Sequence, residues 1–282
     1  MDATLDWPAP TRDLRVAAVQ MNSGTEVELN VASILESIRR AADIGAQLVV
    51  FPENCTQLAP TAERLAAAES LDGPQVSEIR EAAARSGVHV LLGSVSERSH
   101  SPEHTWNTSV LIQKNGSIGS IYRKIHLFDV QVSSDTSLRE SASVLAGDWS
   151  PTVGEVEGWR VGMSICYDLR FPELYRGLAD QGAHVLMVPA AFTFRTGASH
   201  WELLLRARAV ENQSWLVAPG QTGRHYGGRE SWGHTMVVDP WGQVVAQRAE
   251  GVGMVLATLE AAAMIDIRKR LPSLRHRRFA AP

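Results

Sequence analysis

Apolar positions along the chain switch repeatedly between two periods. Residues 14–20 (LRVAAVQ) form a continuous apolar run of strand length, and Val27, Val31, Ile34, Ile38 and Ala41 then fall on one face of a helix. Residues 47–51 (QLVVF) are short, β-branched and closed by Pro52, which predicts a strand with Glu53 at its carboxyl end. Asp72-Gly73-Pro74 opens a helical stretch to Ser86 with Val76, Ile79 and Ala83 on one side, and a strand follows over 88–93. Lys114-Asn115-Gly116-Ser117 separates the apolar runs 109–113 and 118–122. Asn-Gly in that setting predicts a hairpin, with Lys124 just beyond it.

Residues 125–149 are polar and irregular, with Ser133, Ser134, Asp135, Thr136 and Ser137 clustered, and read as a long surface loop. A strand over 159–165 then leads to Cys166, with a helix over 172–181 behind it, so the cysteine falls on a strand-to-helix corner. From His184 the pattern runs strand (184–191), helix (200–212), strand (214–219), strand (233–238), turn (239–242), strands to Leu259 and a last helix from Ala261. The interior runs are continuous rather than alternating, which implies strands covered on both faces by helices or by a second sheet. This alternation predicts an α/β fold. LVVFPE in the first half and VLMVPAA in the second hint at a duplicated layout.

The 282 residues show no compositional seam, so one domain over 1–282 is expected, with a flexible, polar, proline-bearing lead over 1–12 and a C-terminal arm from about 271 to 282. Apolar residues at 44% and charged residues at 21% fit a soluble globular protein. A formal charge of −4 gives no general attraction to nucleic acid or anionic membrane and favours a small-molecule partner. Arg268, Lys269, Arg270, Arg275, His276, Arg277 and Arg278 are a local exception. Leu271, Pro272 and Leu274 interrupt that run as packing anchors, so a solvated or subunit-facing tail is expected rather than a nucleic-acid contact. The two cysteines, Cys55 and Cys166, and the lack of a signal-length apolar run in the first residues point to a reduced, cytoplasmic protein. No run reaches bilayer-spanning length.

Glu53, Lys124 and Cys166 all fall at predicted strand ends, and their side-chain types fit an amide hydrolase. A cysteine at a strand-to-helix corner presents sulfur to backbone N–H groups; a neighbouring carboxylate can take its proton and return it to a leaving nitrogen; an ammonium steadies both the carboxylate and an oxyanion. Spacing alone leaves the alternatives open, since a lone cysteine also serves as a small buried hydrophobe and a Glu–Lys couple as an ordinary ion pair. Cys55 has no basic partner nearby in sequence.

The motifs PEN around Glu53, YRKIHLFD around Lys124 and CYDLRFPEL from Cys166, in that order, resemble the Glu, Lys and Cys motifs of the nitrilase-like carbon-nitrogen hydrolase superfamily. That resemblance implies a four-layer α-β-β-α sandwich that dimerises into αββα-αββα. It also implies cysteine-dependent hydrolysis of a small carboxylate-bearing amide through a thioester, with release of ammonia. In its terms Glu53 is the base, Lys124 and the backbone N–H of Tyr167 form the oxyanion hole, Cys166 is the nucleophile, and Glu140 (in RESASVLAGD) is a second supporting glutamate. Neither metal nor organic cofactor is implied, and the nine histidines show no clustered ligand spacing.

In the second half, FRTGASHWELLLRARAVENQ, GQTGRHYGGRESWGHTMVVDPWG and LPSLRHRRF resemble the amidase branch that holds deaminated glutathione amidases and ω-amidases, the GRHYGGRESWGH stretch leaning toward the former. By that resemblance Arg170 and Thr196 bind a substrate carboxylate, a task that suits the planar guanidinium fork. Arg170 paired with Glu173 is the plainer alternative, and Arg224 and Arg229, in a glycine-rich loop, either reach a second carboxylate or face solvent. Trp201 and Trp215 read as core. The loop QVSSDTSLRES departs from the branch pattern and leaves an ω-amidase, and beyond it a carbamoyl-amino-acid hydrolase or nitrilase, as other readings. A catalytically silent docking protein is the non-enzyme alternative.

Overall fold

The computed structural model describes residues 7–133 and 136–278, which form a mixed α/β structure. The first half runs β1 (Leu14–Gln20), α1 (Val27–Asp43), β2 (Leu48–Val50), α2 (Thr61–Ala67), α3 (Pro74–Ser86), β3 (His89–Arg98), β4 (Thr105–Ile112) and β5 (Ile118–Arg123). Next come β6 (Asp129–Ser133), β7 (Thr136–Arg139), β8 (Val144–Leu145), β9 (Thr152–Val156), β10 (Trp159–Met163), α4 (Pro172–Asp180), β11 (Val185–Met187) and α5 (Phe194–Asn212). The chain then continues through β12 (Trp215–Ala218), β13 (Thr222–Arg224), β14 (Glu230–Trp232), β15 (Thr235–Val238), β16 (Val244–Arg248), β17 (Gly253–Leu259) and α6 (Ala261–Arg270). Punctuation follows local chemistry. Pro74 sits in the first turn of α3, where its missing N–H costs nothing, and Gly87 ends that helix in the left-handed conformation.

Among the described residues most strands fall into two large sheets, in the orders β17-β1-β2-β3-β4-β5, with β8 beside β4, and β9-β10-β11-β12-β15-β16. In the first, β1, β2 and β3 are parallel, followed by antiparallel β4 and β5, with antiparallel β17 on the far edge. In the second, β10, β11 and β12 are parallel, followed by antiparallel β15 and β16, with antiparallel β9 on the far edge. The two sheets therefore repeat one strand order. LVVFP and VLMVP occupy equivalent second parallel strands, β2 and β11.

Strand alternation divides the core. Ala17, Val19, Val49, Val90 and Leu92 pack with Val31, Ile34 and Ile38 of α1 and Val76 and Ile79 of α3. The intervening Val16, Ala18, Leu48, Val50 and Leu91 share a core with Val161, Met163, Val185, Met187, Leu216 and Met236 of the second sheet, and with Tyr175, Trp201 and Met264 of α4, α5 and α6. At about 1.5–3 kcal/mol for each fully buried large aliphatic side chain, these two layers provide the main drive to fold. Trp201 and Trp215 are both buried, as their placement in apolar runs predicts.

Several elements differ from expectation. The segment 125–149 is not one long loop: β6 and β7 pair antiparallel with Val130 opposite Leu138, a short turn covers Glu140–Ala142, and β8 pairs with β4. Serine, aspartate and threonine dominate that hairpin, so composition hides its two-residue period. Ser134 and Asp135 of the polar cluster lie outside the described residues. The fifth helix begins at Phe194, six residues before the expected start, and the expected strand over 184–191 narrows to Val185–Met187. The glycine-rich stretch holding Arg224 and Arg229, read as a loop, includes the paired strands β13 and β14 on either side of its turn.

Residues 1–6 of the lead and 279–282 of the arm lie outside the described residues. Trp7 lies under the Arg160 guanidinium at 3.8 Å, and in the arm Leu274 is buried while Arg277 pairs with Asp180 at 2.6 Å. Among the described residues no helix is long and apolar enough to cross a membrane.

Candidate active site

Chain segments that follow strands of both sheets converge at one place. Glu53 follows β2 after Pro52, Lys124 directly follows β5, Cys166 opens a short 3-10 turn after β10, and Ala191 follows β11 after Pro189. Carboxyl ends of strands are where open α/β sheets leave room for ligands. Gly93, just past the buried Leu92 of β3, makes the convergence possible: a Cβ there would run into the carbonyls of Phe51 and Pro52 and the ring of Pro189.

Lys124 is 2% exposed and commits its ammonium to two carboxylates, with Nζ 2.9 Å from Glu53 Oε1 and 3.1 and 2.9 Å from the two oxygens of Glu140. The Ala191 N–H donates to Glu53 Oε2 at 2.8 Å, and the Phe128 N–H donates to Glu140 Oε2 at 2.7 Å. Asn107, which sequence reasoning missed, is the hub. Its Nδ2 donates to Glu53 Oε1 at 3.0 Å and to Glu140 Oε1 at 3.1 Å, and its main-chain oxygen accepts the Lys124 N–H at 2.9 Å. The available signal was a costly buried amide within the apolar strand TWNTSVLI.

These contacts set the charges. Burial pushes Glu53 upward, but the Lys124 charge, hydrogen bonds from Lys124 and Cys166 and the Ala191 N–H outweigh it, so the carboxyl stays below its usual range and ionised. Lys124 loses solvation, but Glu140 and Glu53 raise it well above an ordinary lysine. Burial first and the Glu53 charge second lift Cys166 well above an ordinary thiol, with Lys124 opposing. The sulfur therefore favours its protonated form, hydrogen-bonded to the Glu53 carboxylate. Cys55 is also a free thiol, pushed by burial to about 12, with its sulfur on the Ser94 carbonyl at 3.2 Å.

Cys166 has φ of +48°, a left-handed backbone that a side chain adopts only when its surroundings enforce it. Its N–H donates to the Pro189 carbonyl at 2.9 Å. Buried Asp168 braces the turn: Oδ2 accepts from the Ile165 N–H at 2.8 Å and the Tyr122 hydroxyl at 2.7 Å, and Oδ1 accepts from the His126 N–H at 3.1 Å. Tyr122 and His126 flank Lys124, so one carboxylate locks the cysteine turn to the lysine strand.

The cluster opens into a cavity of about 450 Å³, a usual size for a small-molecule site. Glu53, Lys124, Glu140, Cys166, Tyr167 and Thr196 all line it, and Thr196 Oγ1 lies 2.7 Å from Thr193 Oγ1. Arg170 does not line it. That side chain is half-buried with Nη1 3.4 Å from His200 Nδ1 and its guanidinium 5.2 Å from the Phe192 ring centre, and no ion pair with Glu173 forms among the described residues. Arg229 lines the cavity and Arg224 does not. Among the described residues no group of three or more His, Cys, Asp or Glu is placed to hold a metal ion.

A family model described as carbon-nitrogen hydrolase matches residues 15–269, a span containing every side chain of this cluster. The chain belongs to the carbon-nitrogen hydrolase family. This carbon-nitrogen hydrolase is an enzyme of the amidase kind. It is 41% identical over 273 residues to the deaminated glutathione amidase of Yersinia enterocolitica, covering 96% of this chain and 95% of that one. The crystal structure of the Caenorhabditis elegans NitFhit protein matches with a TM-score of 0.90 at 37% identity, covering 95% of this chain and 66% of that one. A variant of the amidase from Nesterenkonia sp. AN1, in which acrylamide has added to the active-site cysteine, matches with a TM-score of 0.77 at 26% identity, covering 93% and 99% of the two chains.

Proposed function

We propose that this carbon-nitrogen hydrolase is a deaminated glutathione amidase that works through Cys166. What carries the reading is a buried Glu53–Lys124–Cys166 cluster opening on a cavity of about 450 Å³, in a chain 41% identical to an amidase of that name. Glu53 takes the thiol proton as sulfur attacks the amide carbonyl. Lys124 Nζ and the Tyr167 N–H hold the oxyanion, an interaction that contributes roughly a hundred- to a thousandfold per donor in comparable sites. Glu53 then returns the proton to the departing nitrogen, leaving a thioester on Cys166. Water, deprotonated by Glu53, attacks the thioester, releases the acid and restores the thiol. Glu140 keeps the lysine charged and aimed, and Thr196 on the cavity wall serves the acyl carboxylate, a task Arg170 joins only by turning in from beside His200.

The leaving nitrogen sharpens the expected product. In a deaminated tripeptide the cleaved amide nitrogen carries the rest of the peptide, so the product is a primary amine; α-ketoglutaramate, carbamoyl amino acids and nitriles release ammonia instead. A screen of deaminated glutathione, α-ketoglutaramate, carbamoyl amino acids and simple nitriles, reading amine and ammonia separately, tests the reading. The highest kcat/KM should belong to deaminated glutathione, with an amine product. Turnover of nitriles alone would refute it.

The same reading takes the layers as the four-layer α-β-β-α sandwich, two chains pairing into αββα-αββα in the cytoplasm. Exposed Leu203 and Val210 on the outer side of α5 support the pairing, as does exposed Trp241 beside Gly242, whose carbonyl accepts from Arg206 of that helix at 2.8 Å. The two free thiols fit a reducing compartment.

A further inference from the structure

The cavity is more cationic than the catalytic cluster needs. Among the described residues lining it, Lys124 is matched by Glu53 and Glu140, while Arg64, Arg139 and Arg229 stand with Glu230, in a chain whose formal charge is −4. Arg64 of α2 is set into the wall, and its two terminal nitrogens donate to neutral oxygens: Nη1 to the Thr105 hydroxyl, Nη2 to the Ser143 hydroxyl at 2.6 Å. Arg229 projects from the β13–β14 turn with its guanidinium 4.9 Å from the Tyr226 ring centre. Neither arginine has a carboxylate within ion-pair distance among the described residues. Burial chiefly lowers the Arg64 pKa, with the Glu140 charge opposing and the charge of Arg229 adding to the lowering. Two like charges lining one cavity, one of them partly desolvated and without a carboxylate in direct contact, favour an anion held between them.

We propose that Arg64 and Arg229 form a carboxylate subsite that selects amides bearing a second carboxylate, remote from the one served near Thr196. Arg64 supplies the rigid part of the clamp, since Thr105 and Ser143 fix its fork. Arg229, exposed on its turn, closes from the other side. A guanidinium clamp of this kind gives charge-assisted hydrogen bonds, which makes charge and planarity both matter. This rests on the amidase reading of the cavity, although it is tested without turnover.

The test measures how well glutarate and suberate, against the monocarboxylate butyrate, protect Cys166 from iodoacetamide. Each variant's protection is scaled to its own unprotected rate. In the wild-type enzyme a dicarboxylate should protect at roughly tenfold lower concentration than butyrate, as one charge-assisted contact would give. Arg64→Met and Arg229→Met should each erase most of that difference, and Arg64→Lys should restore part of it. Because Arg229 is exposed, its variant carries the test if Arg64→Met fails to fold. Equal protection by both ligand classes in the wild type, or a difference that survives the substitutions, overturns the subsite. Turnover of deaminated glutathione is scored separately, so loss of the substrate reading and loss of the subsite are distinguishable.

Discussion

Burial alone would neutralise Glu53, yet Lys124, Asn107 and the Ala191 N–H keep it charged, and that charge raises the Cys166 thiol. The sign of one experiment follows. Glu53→Gln removes a cause that raises the thiol while leaving burial and Lys124 in place, so the pH midpoint for iodoacetamide labelling of Cys166 should move down. Turnover should fall roughly 10²- to 10⁴-fold in the same variant, as loss of a general base does. A midpoint that stays put or rises would contradict the charge assignment. At this scale sequence showed the chemistry but not its supports. Glu53, Lys124 and Cys166 stood out at strand ends beside recognisable motifs, whereas nothing in the local pattern singled out Asn107 or Arg64. Contacts between residues tens of positions apart gave both their meaning, and no local spacing encodes those.

At the scale of elements, the turn Cys166–Arg170 depends on Asp168, whose two oxygens take donors from Ile165, Tyr122 and His126. Asp168→Asn puts an amide donor against at least one of these donors. A cost of about 1–3 kcal/mol in denaturant unfolding is expected, the usual effect of orphaning a buried polar group. The kcat should drop as well, because the left-handed Cys166 loses the brace that enforces it; unchanged stability and kcat would show that the turn holds itself. The long apolar strands and α1 and α3 were legible because their periods are strong. The β6–β7 hairpin and the first six residues of α5 were not, since Ser, Thr and Gly there carry turn-like composition while tertiary pairing decides the backbone.

For the whole molecule, the repeated strand order explains why the site lies where it does. Pro52 and Pro189 follow equivalent strands of the two sheets, and the segments behind them bring Glu53 and Ala191 within 2.8 Å. The echo between LVVFPE and VLMVPAA was visible in sequence, but its meaning needed both sheets. If two chains pair through the outer side of α5, the double variant Leu203→Glu, Val210→Glu should sediment at half the mass of the parent with its fold intact by circular dichroism. An unchanged mass would place the contact elsewhere.

The most direct test of the central assignment is the rate of amine release from deaminated glutathione by the wild-type enzyme and by Cys166→Ala. The wild type should turn over while a folded Cys166→Ala falls at least roughly 10⁴-fold, toward background, as nucleophile removal does in other hydrolases. Wild-type turnover in the alanine variant would contradict a Cys166 nucleophile outright.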